Sequence, residues 1–99
     1  MATYILLGNL TEEGSKAVKE RPERIEEVNL EMEKYGAKVI AQYATLGLYD
    51  FITVVQAPDN ETMLRISVEF SSRGTLNLMS MPAFDVNVFT HQILRDAPA

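Results

Sequence analysis

His91 is the single histidine of this 99-residue chain. Imidazole titrates near neutrality, which makes it a candidate general base or axial haem ligand. No second ligand stands near it in sequence, and a lone histidine close to a chain end is more simply packed or solvated. Tyr49-Asp50 joins a phenol to a carboxylate, a pair that could hold or deprotonate a small substrate in a dry cavity. The plainer account is that Asp50 bonds turn amides while Tyr49 packs. Tyr43, Tyr49, Gln42, Gln56 and Asn77 are the candidate polar contacts for a modest organic ligand in an otherwise apolar pocket. Glu23, Glu26, Glu27, Glu31 and Glu33 have no histidine at helical spacing and read as a solvated helix face rather than a hard-metal site. Met79-Ser80-Met81 places two thioethers on one side of a strand, which is packing before it is copper chemistry. The chain offers no nucleophile–base pair, phosphate loop or metal-ligand spacing. No metal and no cofactor is therefore expected, and Asp50 and His91 are the sole candidates for catalysis.

Composition narrows the classes further. A chain of this length supports one compact domain, here spanning residues 1–99, whose limited core would gain from partner surface. The net charge of −5 repels phosphate backbones, and no Lys/Arg stripe reverses that repulsion, so nucleic acid is not expected as a partner. No apolar run approaches the roughly 20 residues of a membrane helix, and no basic segment precedes the first hydrophobic stretch. A soluble, cytoplasmic protein is the expectation, and the absence of cysteine agrees with it.

The elements that must position these residues follow from periodicity and punctuation. Tyr4-Ile5-Leu6-Leu7-Gly8-Asn9 reads as a strand, and Thr11-Glu12-Glu13 as a helix start. Pro22 removes an amide donor and biases Arg21 away from helical angles, so the helix breaks or restarts there. Beyond it Ile25, Val28, Met32 and Tyr35 recur at spacings of three and four, and Gly36 caps the end. Lys38 to Thr45 and Tyr49 to Ala57 read as a hairpin around Gly47-Leu48-Tyr49-Asp50, where Gly47 supplies positive φ. Asp59 caps a second helix with Met63, Ile66 and Phe70 as its buried stripe and Leu64 and Val68 beside it, closed by Gly74. Thr75 to Met81 makes a fourth strand. Asp85 then starts a short terminal helix through Phe89 toward Ile93, with Ala97-Pro98-Ala99 fraying.

The order β-α-β-β-α-β is that of the ferredoxin-like plait, an α+β fold with both helices on one face of a four-stranded antiparallel sheet. Strand alternation assigns Tyr4, Leu6, Val39, Ala41, Phe51, Thr53, Val55, Leu76 and Leu78 to the helix side. The other face collects Ile5, Leu7, Asn9, Ile40, Gln42, Ile52, Val54, Gln56, Asn77 and Met79. It is too apolar for open water, which predicts a homodimer, or a multiple of dimers, packed sheet on sheet.

Tyr4, Asn9-Leu10-Thr11 and Gly14, then Gly36, Lys38, Tyr43, Thr45, Gly47, Tyr49 and Asp50, then Ala57-Pro58-Asp59, Gly74 and Ala83-Phe84 stand in an order and spacing that resembles the GYD domain family. The fourth strand departs from the family pattern, with Leu76, Leu78, Met79 and Met81 where more Arg and Thr would be expected. The resemblance covers most of the chain and implies the dimeric α+β barrel form of the plait. It implies no reaction, because proteins of similar fold include cofactor-independent monooxygenases, haem-binding enzymes and effector-sensing domains. Three functions stay open: a homo-oligomeric module binding a small molecule or a partner, a cofactor-independent oxygenase or isomerase using Asp50 or His91, and a purely self-assembling structural domain.

Overall fold

The computed structural model describes residues 1–95, so the expected fraying of Ala97-Pro98-Ala99 lies outside the described residues. The elements run β1 (Ala2–Leu10), α1 (Glu12–Glu20), α2 (Arg24–Lys34), β2 (Lys38–Ala44), β3 (Phe51–Ala57), α3 (Asn60–Ser71) and β4 (Leu76–Ala83). A single helical turn, α4 (Val86–Val88), then widens into a π-helical turn over Phe89–Ile93. The four strands form one antiparallel sheet in the order β2-β3-β1-β4. This is the ferredoxin-like plait expected from the element order.

Local chemistry sets the boundaries. Thr11 accepts the Gly14 amide at its Oγ1 and caps α1, while Asp59 accepts the Thr62 amide and caps α3. The break at Pro22 separates α1 from α2 as proline requires. Gly36 and Gly74 adopt positive φ just past α2 and α3, the left-handed conformation that ends a helix at least cost.

The core lies between the helices and one face of the sheet. Tyr4, Leu6, Val55 and Ala57 from the strands meet Met32 from α2 and Met63, Ile66 and Phe70 from α3, all buried. Tyr35 meets Phe70 edge-on with ring centroids 5.8 Å apart. Arg73 also lies against Phe70, its guanidinium 4.7 Å from the ring centre and its two terminal nitrogens 2.6 and 2.7 Å from the Glu31 carboxylate. One basic side chain thus ties α2 to α3. Leu64 and Val68, expected beside the buried stripe of α3, are 68% and 63% exposed.

One strand departs from simple alternation. Val39 stands opposite Val55 but Ala41 stands opposite Val54, so Ile40 is an extra residue, a β-bulge. Beyond the bulge every side chain of β2 changes face. Ala41 therefore lies on the open face, not under the helices, and Gln42 lies under the helices opposite Thr53 rather than on the open face.

Candidate functional site

Across the open face the register aligns side chains in rows, because directly opposite residues share a face. Tyr43, Ile52, Leu7 and Met79 form one row, and Ala41, Val54, Ile5 and Met81 the next. Asn9 opposite Asn77, with Gln56 opposite Thr3, borders them with uncharged polar groups. Met79 and Tyr43, on the edge strands, are 52% and 62% exposed, while Ile5, Leu7, Ile52 and Val54 on the central strands are half-buried by their neighbours alone. No described element of the chain covers this surface. The result is an apolar field framed by neutral amides.

A second concavity lies on the helix side, an open groove of about 490 Å³ between α3 and β4. Its walls are Met63, Leu64, Leu78 and Pro82, with two polar pairs set into them. Tyr4 Oη donates to Asn60 Oδ1 at 2.6 Å, and the Ser67 and Ser80 hydroxyls lie 2.7 Å apart. The groove exists because β4 is an edge strand and because Ser67 and Ser80 meet where two larger apolar side chains would have closed the gap. A third, smaller space of about 90 Å³ opens between α1, α2 and the sheet, lined in part by Val18, Val28, Asn29, Gln42 and Leu76.

The expected ligand contacts do not converge. Tyr43, Gln56 and Asn77 share the open sheet face. Gln42 is on the opposite side, where it exchanges two hydrogen bonds with the Asn29 amide (2.7 and 3.2 Å) and donates to Thr53 Oγ1 at 3.1 Å. That amide pair satisfies Thr53, the one polar side chain buried in the core among the described residues. Gly47 has φ +114°, so the turn uses the conformation expected of it. Tyr49 contributes its carbonyl, which accepts from Thr45 Oγ1 at 2.6 Å. Asp50 binds the hairpin to β1: its Oδ2 accepts the Leu10 amide at 2.8 Å, and its own amide donates to Gly8 O at 2.9 Å. The partner of the carboxylate is thus an amide 40 residues away rather than one of its own turn. His91 is exposed in the terminal π-helical turn and lines neither the groove nor the smaller space. Asp50 and His91 share no site.

Electrostatics set no reactive group apart. The Arg73 hydrogen bond holds the Glu31 carboxyl below its ordinary value, and the Thr62 hydroxyl and amide do the same for Asp59. Both shifts belong to structure, an inter-helix clamp and a helix cap. The Tyr4–Asn60 and Ser67–Ser80 pairs are not legible in the sequence because their partners are far apart in the chain. The available signal was the placement of Ser80 and Pro82 on the strand positions that alternate with Met79 and Met81.

The model of the GYD domain matches the chain over residues 4–93. The protein belongs to the GYD domain family. A protein of Thermus thermophilus named glutamine synthetase and cystathionine beta-lyase binding protein is 45% identical over 87 residues, covering 87% of this GYD chain and 92% of that protein. The crystal structure of a Thermus thermophilus protein superposes with a TM-score of 0.53, covering 86% of this chain and 95% of its own. At 20% identity that likeness speaks for the fold alone. Among the described residues of this GYD domain, no helix is long and apolar enough to cross a membrane.

Proposed function

We infer that this GYD domain is a homo-oligomeric interaction module that docks on enzymes. The rows of Ile5, Leu7, Ile52, Val54, Met79 and Met81 carry the reading, because a contiguous apolar patch on a sheet face is the mark of an interaction surface. A second copy is the first occupant of that face, since the plait then closes into a dimeric barrel with Gln56, Asn9 and Asn77 near its rim. The name carried by the 45%-identical Thermus protein supports glutamine synthetase and cystathionine beta-lyase as the class of enzyme partner. The lack of cysteine supports a cytoplasmic setting.

An enzyme reading finds little support, because the Asp50 carboxylate is engaged by the Leu10 amide and His91 faces solvent. Small-molecule binding is the second reading, favoured by the polar pairs set into the apolar groove between α3 and β4.

The test is light-scattering chromatography of the purified chain, followed by calorimetric titration into each of the two enzymes. A dimer or dimer multiple with saturable binding to either enzyme is the expected result. A monomer refutes self-association. An oligomer that binds neither enzyme, yet releases a stoichiometric small molecule on denaturing mass spectrometry, transfers the function to the groove.

A further inference from the structure

The segment after β4 does not fold onto its own body. Phe84 is 68% exposed and Val86 70% exposed, and Phe89, Ile93 and Leu94 are each about half exposed. α4 and the π-helical turn pack on each other. The principal extent of the molecule is 56 Å, nearly twice the roughly 30 Å that its longest strand spans. Val86, Phe89 and Ile93 recur at spacings of three and four, so they form an apolar stripe along this arm. An arm with such a stripe in water is an element without its partner.

The groove between α3 and β4 is a surface without its cover. Three features match it to the arm. The residues of α3 that line it run from Asn60 to Ser67, eight positions of helix about 12 Å long, and the helical part of the arm from Val86 to Ile93 is also eight residues. Val86 to Leu94 carries no Asp, Glu, Lys or Arg, so the helical part of the arm brings no charge of its own into the groove, while Glu61 of the lining and Asp85 at the start of the arm are both exposed. The five exposed apolar side chains of the arm offer on the order of 500 Å². Two arms together bring on the order of 1,000 Å² of their own surface to such an exchange, a substantial contribution to a specific interface that the sheet faces would share.

We propose that the arm Phe84–Leu94 of each copy crosses to a second copy of this chain and lies in its groove between α3 and β4, against Leu64, Leu78 and Pro82. The proposal rests on the self-association inferred above and adds the strap that locks it. The arm starts two residues beyond Pro82, at the edge of its own groove, and none of its residues lines that groove. Exchange between identical copies lets both arms and both grooves be satisfied by one two-fold arrangement.

Because the chain has no cysteine, cross-linking is clean. The double variant Leu64→Cys/Phe89→Cys is oxidised in solution at its native oligomeric state and run without reductant, with Lys16→Cys/Phe89→Cys as the collision control. A covalent dimer from the first variant and not from the control is expected, and Phe89→Ala/Ile93→Ala should raise the dimer dissociation constant at least tenfold. An intrachain link overturns the proposal, since the arm then covers its own groove. An uncross-linked dimer whose dissociation constant ignores the arm substitutions overturns the strap while leaving the sheet-face dimer standing. A monomer of the unmodified chain removes both.

Discussion

Gly14→Ala should unfold this protein more easily although it improves the helix propensity of α1. A methyl group at Gly14 would sit 1.9 Å from the Thr75 carbonyl oxygen and 2.9 Å from its carbon, both backbone atoms at the entry to β4. The same carbonyl accepts the Thr11 amide at 3.1 Å, and Thr11 Oγ1 donates to Gly74 O at 2.7 Å, so the N-terminus of α1 is pinned to that spot. Relief needs a shift of more than about 1 Å, an overpacking cost of about 1–3 kcal/mol. Weakening the two pinning bonds costs about 0.5–1.5 kcal/mol each. The Gly-to-Ala gain in a helix returns about 1 kcal/mol. The net expectation is a loss of about 1–5 kcal/mol centred near 3, which for a domain of this size lowers Tm by roughly 10–25 °C at the centre of that range. Urea unfolding at one fixed protein concentration reads it as a lower midpoint with unchanged slope, because association would otherwise shift the midpoint. Ser15→Ala, exposed on the same helix, is the control and should change stability little or raise it slightly. A Gly14→Ala protein as stable as the parent would refute the close approach of α1 to β4.

Gly47→Val should cost about 1–2 kcal/mol by thermal unfolding, and purely as backbone strain, since φ is +114° and no atom lies within 4 Å of the added carbon. Asp50→Ala leaves the Leu10 amide without its 2.8 Å acceptor and should destabilise by about 1–2 kcal/mol, read as a lower urea midpoint; an unchanged midpoint would mean that water replaces the carboxylate at no cost. Ile52→Lys puts a charge into the central row of the open face and should convert the oligomer to monomer in sedimentation while its circular dichroism stays native. Acid should weaken the fold through Glu31: its folded pKa is held below the ordinary 4.5, chiefly by the Arg73 hydrogen bond, so the stabilisation is complete above that value and is lost as pH falls through the lower folded one. Glu31→Gln should flatten that acid limb, and a limb of undiminished slope would assign it to other carboxylates such as Asp59.

The elements were legible because each is punctuated by residues with a local physical preference. Thr11 and Asp59 cap, Pro22 interrupts, and Gly36, Gly47 and Gly74 take positive φ, and none of these needs a distant partner to act. Alternation then assigned the helix side of β1 and β3 correctly, since Tyr4, Leu6, Thr53 and Val55 are all buried. The candidate site was much less legible. The bulge at Ile40 depends on how β2 registers against β3, and it moved Gln42 from the open face to a bonded position beneath α2. Asp50 was recognised as a turn residue, but its acceptor role is completed by Leu10, which only the pairing of strands brings near.

The family and the order of the plait were written in the chain itself, in short-range signals of capping, periodicity and glycine that operate within a few residues. Only the tertiary structure decided which side chains meet across long separations in sequence. The Tyr4–Asn60 and Ser67–Ser80 pairs, the unfilled groove they line and the arm that leaves it uncovered follow from where an edge strand and α3 come to rest. Such contacts depend on the summed packing of the whole core, to which no local preference corresponds.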